Sequence, residues 1–398
     1  MGPGYPLLLD LEGRRVLVVG GGPVAARRAG GCLDAGAQVV LVAPEVSDDV
    51  EASAGRPGLE VRRRAAVSDD LDGCVLVHTC TGVPAVDDEV AAQARARGVP
   101  CVRADDSARS DAWVPAVRRR DDVVVAVTAG GDPRRASRLA AAVATALDVG
   151  DLPLRHVRTS PRGSVALVGG GPGDPGLITV RGRRLLARAD VVVADRLGPR
   201  ALLDELDDDV EVVDVGKAAG RGPSQADINQ VLVDRALAGH RVVRLKGGDP
   251  FLFGRGAEEA LACARADVPV EVVPGVTSAF AAPALAGVPV TRRGVSPSVS
   301  VVSGHLADGA QSRDHLTALA RAGGTLVVLM ALGRLDDVAA ALLDAGRPRS
   351  TPAVVVRAAS TAEQEVVRTT LGDLPADAAH LSAPAVVLVG EVAAAQQG

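Results

Sequence analysis

The stretch RVVRLKGGDPFLFGRG, residues 241–256, changes character after its first six residues. A run of valine, leucine and basic residues is followed by four glycines, a proline and an aspartate. This order predicts a buried strand that ends in a loop at the carboxyl edge of a parallel sheet, where α/β proteins place their ligands. Gly247 and Gly248 would let the backbone approach a ligand closely. Asp249 would cap the loop or bind a polar group, and the two phenylalanines would form an apolar wall.

The composition favours an α/β protein of two or three domains. The chain has 398 residues, of which 47% are hydrophobic and only 1% aromatic, and it contains 45 glycines. Cores built from valine, leucine and alanine suit α/β layers better than a sandwich or a barrel. The net charge of −5 argues against general nucleic-acid binding, which needs a basic face.

Cysteine and histidine usage indicates a cytoplasmic protein without a preformed metal site. The five cysteines form no C-x-x-C pair, so we expect reduced, mostly buried thiols. The six histidines form no H-x-x-x-H pair, which argues against a zinc site. The first fifteen residues lack the basic-then-apolar order of a signal peptide. No apolar run reaches the roughly 18 residues that a membrane span needs.

Strand and helix patterns divide the chain into three parts. Residues 1–150 alternate valine-rich runs with alanine- and arginine-rich stretches, which predicts a parallel, doubly wound, Rossmann-like sheet. Residues 151–163 are rich in proline and arginine and read as a linker. Residues 164–398 predict two α/β lobes, at about 164–275 and 296–398, with a looser segment between them.

A glycine loop follows the first predicted strand. The sequence Gly20-Gly21-Gly22-Pro23-Val24-Ala25 fits G-x-G-x-x-A between a strand and a helix, which is typical of dinucleotide binding. Gly20 and Gly22 would face the pyrophosphate. Glu45, close to the tip of the second strand, would take a ribose hydroxyl and favours NAD over NADP. The alternative is a tight turn in a domain that has lost its ligand.

Two further features carry polar chemistry. Asp105 and Asp106 follow a predicted strand and fit either a base or metal-binding pair or a solvated loop. Only Lys217 and Lys246 are lysines among the 44 basic residues, and each lies beside glycine. Because arginine serves as the surface cation elsewhere, Lys217 is interpreted as a position that requires an ammonium group. The alternative is chance, which is favoured for Lys246.

The motifs LEGRRVLVVGGGPVAARRA, VAPE, CVRADD and VAVTAGGDP resemble the precorrin-2 dehydrogenase/ferrochelatase module of sirohaem synthases. The resemblance implies oxidation of precorrin-2 with NAD, followed by iron insertion. It also implies that Asp105 does the proton and metal work, and that Pro23, Val24, Pro44 and Glu45 contact NAD.

The chain departs from that module in three ways. Arg103 stands where the module usually has asparagine, and Ala129 where it often has serine. The helical dimerisation segment that normally follows the module is replaced by the short linker 151–163. The departures keep an alternative open, in which the first domain is a binding or assembly module without catalysis.

The motifs GGGPGDPGLITVRG, VVADRLG, VGKAAG, RVVRLKGGDPFLFGRG and VVPGVTSAFAAPALAGVPVTRRG resemble uroporphyrinogen-III C-methyltransferases over nearly all of residues 164–398. The resemblance implies that S-adenosyl-methionine lies in the cleft between two lobes. Asp195 matches the family's proton acceptor and Lys217 its proton donor. The implied contacts with S-adenosyl-methionine are Pro172, Gly247, Gly248, Asp249, Leu252, Thr277, Ser278, Met330 and Ala359.

Together the two resemblances predict a multifunctional tetrapyrrole enzyme. It would methylate uroporphyrinogen III to precorrin-2, oxidise that product to sirohydrochlorin and, within the same resemblance, insert iron. The alternative is a methyltransferase alone. We expect a small-molecule tetrapyrrole substrate, no nucleic-acid or membrane partner, and a homodimer. Four arginines in glycine-rich or loop contexts could hold the substrate's carboxylates: Arg221, Arg255, Arg292 and Arg293.

Overall fold

The computed structural model describes residues 4–120, 122–152, 163–195, 198–216, 223–304 and 310–394, with the side chains of 310–313 excepted. The chain divides into two compact units, Met1–Ala144 and Thr145–Gly398. Among the described residues, no helix combines the length and the apolar character that crossing a membrane requires.

The first unit is built on a five-stranded parallel sheet with strand order β3-β2-β1-β4-β5. This is the order of dinucleotide-binding sheets, as the sequence predicts. One apolar cluster lies between the sheet and α1, and a second lies between the sheet and α3. The strands are β1 Arg15–Val19, β2 Gln38–Val42, β3 Leu59–Arg62, β4 Cys74–Thr79 and β5 Cys101–Arg103; the helices are α1 Pro23–Leu33, α2 Asp48–Glu51, α3 Pro84–Ala96 and α4 Pro133–Val149.

The strand predicted at DVVVAV does not join that parallel sheet. It forms β7 (Val123–Val127), which pairs antiparallel with β6 (Ala116–Arg120) in a separate two-stranded sheet. The reason is the length of the connection. Two residues can join antiparallel strands only, because a parallel pair needs a crossover of a dozen or more residues.

The second unit begins with another parallel sheet, in the order β10-β9-β11-β8-β12. The central strands are buried on both faces, which explains their nearly continuous valine and leucine runs. Their carboxyl ends bring the loops after β8, β9, β11 and β12 to one edge. The strands are β8 Ser164–Gly169, β9 Val191–Ala194, β10 Glu211–Asp214, β11 Arg241–Lys246 and β12 Val270–Val273; the helices are α5 Val180–Leu186, α6 Gln225–Leu237 and α7 Gly256–Arg265.

A mixed sheet in the order β13-β14-β17-β15-β16 forms the other lobe of this unit. Only the β13–β14 pair is parallel. The strands are β13 Val299–Ser303, β14 Thr325–Leu329, β15 Pro352–Arg357, β16 Glu365–Thr370 and β17 Ala385–Val389; the helices are α8 Ser278–Leu285, α9 Ala310–Ala322, α10 Leu335–Asp344 and α11 Leu374–Asp377.

Helix α8 lies inside the segment that the sequence interprets as loose. Its amino end is capped by Thr277, whose side chain accepts a hydrogen bond from the Ala279 N–H at 3.2 Å. Ala279 and Ala282 are fully buried against the mixed sheet. Packing therefore maintains the helix although Pro283 removes one of its backbone donors.

Candidate active sites in the two units

In the glycine loop between β1 and α1, two glycines pack against neighbouring backbone and the third has free space around it. A Cβ on Gly20 would overlap the Cys80 carbonyl, and one on Gly21 would overlap the Glu45 carbonyl. A Cβ on Gly22 would meet nothing within 4 Å. Gly22 is the N-cap of α1, and no side chain in the described part of the chain caps this helix. The open helix end therefore fits the phosphates of a dinucleotide, whereas Gly20 is explained by packing.

The tip of β2 lies beside the same loop. Pro44 and Glu45 are exposed there, and the Ser47 N–H donates to the Gly21 carbonyl at 2.8 Å. The hydroxyl of Ser47 is buried and has no hydrogen-bond partner among the described residues. The structure thus brings together the glycine loop and the acid that the sequence assigns to the ribose.

Asp105, the predicted proton and metal residue, is bound to Arg103. The Arg103 Nε and Nη2 atoms donate to the two Asp105 carboxylate oxygens at 3.0 and 2.7 Å. Arg103 also pairs with Asp88, and its side chain is 1% exposed. The hydrogen bonds from Arg103 hold the pKa of Asp105 below its usual range. Asp105 is therefore a weak base here, and a metal ion would have to displace a forked ion pair.

Asp106 has a separate, local role. Its carboxylate accepts the Ala108 N–H at 2.9 Å and caps a short turn. The two adjacent acids are thus not a pair in the structure. This local cap agrees with the loop interpretation for Asp106.

Asp87 is an acid that the sequence analysis missed. Its side chain is fully buried near the end of β4, and its Oδ1 accepts the Thr81 hydroxyl at 2.7 Å. Its Oδ2 has no partner among the described residues. Burial raises the pKa of Asp87, and Asp105 raises it further. Nothing in VDDEV distinguishes this carboxylate from its exposed neighbours.

In the second unit, the loops predicted to bind S-adenosyl-methionine follow β8, β11 and β12. Their backbones pack directly against one another. A Cβ on Gly169 would lie 2.6 Å from Gly275, and one on Gly275 would overlap the Gly248 carbonyl. Asp249 ties two loops together, because its carboxylate accepts the Phe251 N–H at 2.8 Å and the Gly275 N–H at 3.0 Å. The capping role expected for Asp249 is thus present.

Contacts between the two lobes bring the loop after β8 to the loop after β15. The Asp174 N–H donates to the Ser360 hydroxyl at 2.9 Å, and a Cβ on Gly173 would lie 3.3 Å from the Ala359 carbonyl. Within the second lobe, a Cβ on Gly304 would lie 2.7 Å from the Met330 carbonyl. Ala359 is buried, whereas Met330 keeps 43% of its surface exposed. Phe251 and Phe253 are also exposed, as a wall for a ligand requires.

Backbone conformation gives a signal that the sequence does not carry. Six non-glycine residues have positive φ angles among the described residues, and five of them lie in these loops. Such conformations cost of the order of 1–3 kcal/mol each and concentrate at functional sites. The five are Phe253, Arg255, Met330, Ala358 and Ser360.

Asp195, the predicted proton acceptor, lies directly after β9. Its Oδ1 accepts the Gly198 N–H at 2.9 Å, and its Oδ2 accepts a hydrogen bond from Arg244 at 3.1 Å. The predicted proton donor Lys217 and the predicted clamp Arg221 lie outside the described residues. Arg255 directs its forked donors at Glu258, at 2.7 and 2.8 Å.

Two family models match the chain. Residues 7–116 match a family described as "Putative NAD(P)-binding", and residues 164–375 match "Tetrapyrrole (Corrin/Porphyrin) Methylases". "Siroheme synthase" of Pseudomonas entomophila is 38% identical over 97% of this chain and 96% of its own length. The chain belongs to the sirohaem synthase family. "Siroheme synthase" of Chromobacterium violaceum is likewise 38% identical, over 98% of this chain and 94% of its own length.

Solved structures match the second unit of the chain. The uroporphyrin-III C-methyl transferase of Thermus thermophilus, complexed with S-adenyl homocysteine, is 41% identical with a TM-score of 0.51. It covers 58% of this chain and 98% of its own. A cobalt precorrin-4 methyltransferase is 31% identical with a TM-score of 0.53, over 58% of this chain and 95% of its own. The chain therefore combines a tetrapyrrole methyltransferase domain with an NAD(P)-binding domain.

Proposed function

We propose that this chain methylates uroporphyrinogen III to precorrin-2 and then oxidises precorrin-2 to sirohydrochlorin. The observation that carries the proposal is the presence of two separate sites in one chain of this family. One is the open amino end of α1 at Gly22, and the other is the glycine-lined cleft beside Asp195. We assign residues 1–150 to the dehydrogenase, 151–163 to a linker and 164–398 to the methyltransferase.

S-adenosyl-methionine supplies an electrophilic methyl group to the second site when it is bound. The loop of Gly247 and Gly248 would form the floor of the cleft, beside the close backbone packing at Gly169 and Gly275. Leu252, Thr277 and Met330 would border the ligand together with Pro172, Ser278 and Ala359. Held geometry of this kind contributes much of the rate of a transfer reaction, because the reacting atoms are already aligned.

Asp195 receives the proton in this proposal. A pyrrole ring that has gained a methyl group is cationic and becomes neutral when a C–H bond breaks and its electrons return to the ring. The Asp195 carboxylate at the end of β9 would accept that proton, as a general base does. Lys217 would return a proton to the substrate, as the family resemblance implies.

NAD accepts hydride when it is bound at the first site. Gly22, Pro23 and Val24 form the start of α1, where the helix end favours phosphate. Pro44 and Glu45 would hold the ribose side of the nucleotide. The hydrogen bond that fixes Ser47 to the glycine loop keeps these two segments together.

We propose that oxidation is the second activity, and that iron insertion by this chain would require Arg103 to release Asp105. Arg103 occupies both oxygens of Asp105, so the carboxylate is poorly suited to hold incoming iron. The alternative, a methyltransferase with a non-catalytic first domain, predicts the same methylation and no effect of NAD.

One experiment separates the two functions. Purified protein is given uroporphyrinogen III and S-adenosyl-methionine, with and without NAD, and the products are followed by their absorbance. Precorrin-2 without NAD and sirohydrochlorin with NAD are the expected products. An unchanged product in the presence of NAD would support the methyltransferase-only alternative. Methylation of neither uroporphyrinogen III nor its isomers would overturn the proposal.

We also propose that the protein acts in the cytoplasm as a homodimer without nucleic acid. The negative net charge supports the absence of nucleic acid, and the free state of all five cysteines supports the cytoplasm. The dimer is carried over from the family resemblance. Analytical ultracentrifugation would test the dimer directly.

A further inference from the structure

A cluster of four charged side chains, three of them buried, connects Asp195 with the glycine loop after β11. Arg244 and Lys246 come from β11, Glu259 comes from α7, and Asp195 follows β9. Arg244 and Lys246 are each 3% exposed and Glu259 is fully buried. With two cations and two anions the cluster is electrically balanced.

Arg244 is the centre of this cluster. Its Nη2 donates to Asp195 at 3.1 Å, and its Nε donates to Glu259 at 3.1 Å. Its Nη1 donates to the carbonyls of Val193 and Leu245, at 3.2 and 3.0 Å. A planar guanidinium with all three nitrogens engaged holds its neighbours in a fixed orientation.

Glu259 links the same guanidinium to Lys246. The Lys246 ammonium donates to both carboxylate oxygens of Glu259 at 3.0 Å. Burial lowers the pKa of Lys246, and Arg244 lowers it further, whereas Glu259 raises it. The stem of Lys246 runs beneath Gly254, since a Cβ there would lie 3.2 Å from the Lys246 Cε.

We propose that Arg244 is a positioning residue that holds the Asp195 carboxylate, through a charged hydrogen bond, in the orientation that takes the proton released on methylation, with Glu259 and Lys246 fixing Arg244. This inference rests on the proposed methyltransferase activity. In the step, a C–H bond of the cationic methylated ring breaks, its electrons return to the ring, and the proton passes to the Asp195 carboxylate. Arg244 contacts Asp195 directly, Lys246 is close enough to interact with it electrostatically, and Glu259 lies on the far side of Arg244.

Removing the positive charge of Arg244 and removing the negative charge of Glu259 should have opposite effects on Asp195. Removing Arg244 takes away the cation beside Asp195 and leaves two carboxylates with one ammonium group. The remaining negative charge favours the protonated form of Asp195. Removing the charge of Glu259 leaves two cations facing Asp195, which favours the carboxylate. A cluster that served only to hold the fold would show no such difference in sign.

The test is the pH dependence of kcat/KM for methylation of uroporphyrinogen III by the full chain. With Arg244→Gln, the midpoint of the acidic limb should rise by about one pH unit or more, because a cation at this distance favours a carboxylate by that much. With Glu259→Gln, the midpoint of the acidic limb should fall or stay unchanged. The controls are Arg235→Gln and Glu211→Gln, a surface pair on α6 and β10. Neither control should move the limb.

A second variant and a binding measurement cover the case in which Arg244→Gln does not fold. Arg244→Gln with Glu259→Gln keeps the cluster balanced and should still raise the midpoint. Calorimetric affinity for S-adenosyl-homocysteine should stay within about threefold, since no residue of the cluster is assigned a contact with that ligand.

The outcomes distinguish this inference from the function on which it rests. An acidic limb that rises equally in both single variants, or that does not move in any variant, overturns the role of Arg244. Wild-type protein that binds S-adenosyl-homocysteine but never methylates uroporphyrinogen III overturns the proposed function instead.

Discussion

Replacing Gly22 with aspartate should stabilise the first unit and abolish binding of NAD. Gly22 has extended backbone angles, φ −84° and ψ −177°, and a Cβ there meets nothing within 4 Å. Aspartate is a good N-cap, so Gly22→Asp should leave the free energy of unfolding unchanged or raise it by a few tenths of a kcal/mol.

The same substitution places a carboxylate where the pyrophosphate would lie. Two like charges about 5 Å apart in a medium of effective dielectric constant about 20 repel by roughly 3 kcal/mol. A loss of that size corresponds to a rise in Kd of more than about 100-fold.

Gly21→Ala is the matched comparison. Its Cβ would overlap the backbone carbonyl of Glu45, so overpacking should lower the free energy of unfolding by about 1–3 kcal/mol. Titration with NADH followed by fluorescence gives the affinity, and urea unfolding gives the stability. Methyltransferase activity of the same samples reports on the other site. The reasoning is refuted if Gly22→Asp binds NADH like the wild type, or if it loses as much stability as Gly21→Ala.

Three further predictions concern individual carboxylates. Asp195→Asn should lower kcat for methylation by about 10²–10⁴-fold, as loss of a general base does, and calorimetry should show unchanged binding of S-adenosyl-homocysteine. Arg103→Asn should remove the hydrogen bonds that lower the pKa of Asp105, and cobalt(II) binding measured by visible absorbance should tighten by at least about tenfold; no gain would show that Arg103 does not block the site. Asp70 is 1% exposed, and hydrogen bonds from Arg64 and Arg62 hold its pKa well below its usual range. Its contribution to stability should therefore be complete above about pH 4 and fall as the pH decreases below that value. Asp70→Asn should cost about 2 kcal/mol at pH 7 in urea unfolding, and about 1 kcal/mol less at pH 3.

The sequence predicts the long buried strands and the loops at their ends well. In β11 the run of valine, leucine and basic residues ends before Gly247, and the strand ends at Lys246. The same reasoning fails where short connections or tertiary packing decide the structure. The strand β7 reads like any valine-rich strand, yet the brief turn before it excludes parallel pairing with β6. Helix α8 lies in a segment that reads as loose, whereas buried alanines hold it in place.

Motifs identify which residues surround a site, but they do not show what each one contacts. Gly20 and Gly22 look equivalent in the pattern, and only the neighbouring carbonyl of Cys80 shows that Gly20 serves packing. Asp105 matches a catalytic position, yet its charge is already used by Arg103 two residues before it. Asp87 and Glu259 carry no motif signal, because their environments come from residues distant in the chain.

The burial of Lys246 has a practical consequence for chemical labelling. The chain has two lysines, and the Lys246 amine is enclosed and bound to Glu259. Amine-directed reagents applied to the native protein should therefore spare the Lys246 side chain. Because the sequence has only one other lysine, a label found on a lysine side chain would mark Lys217, the predicted proton donor.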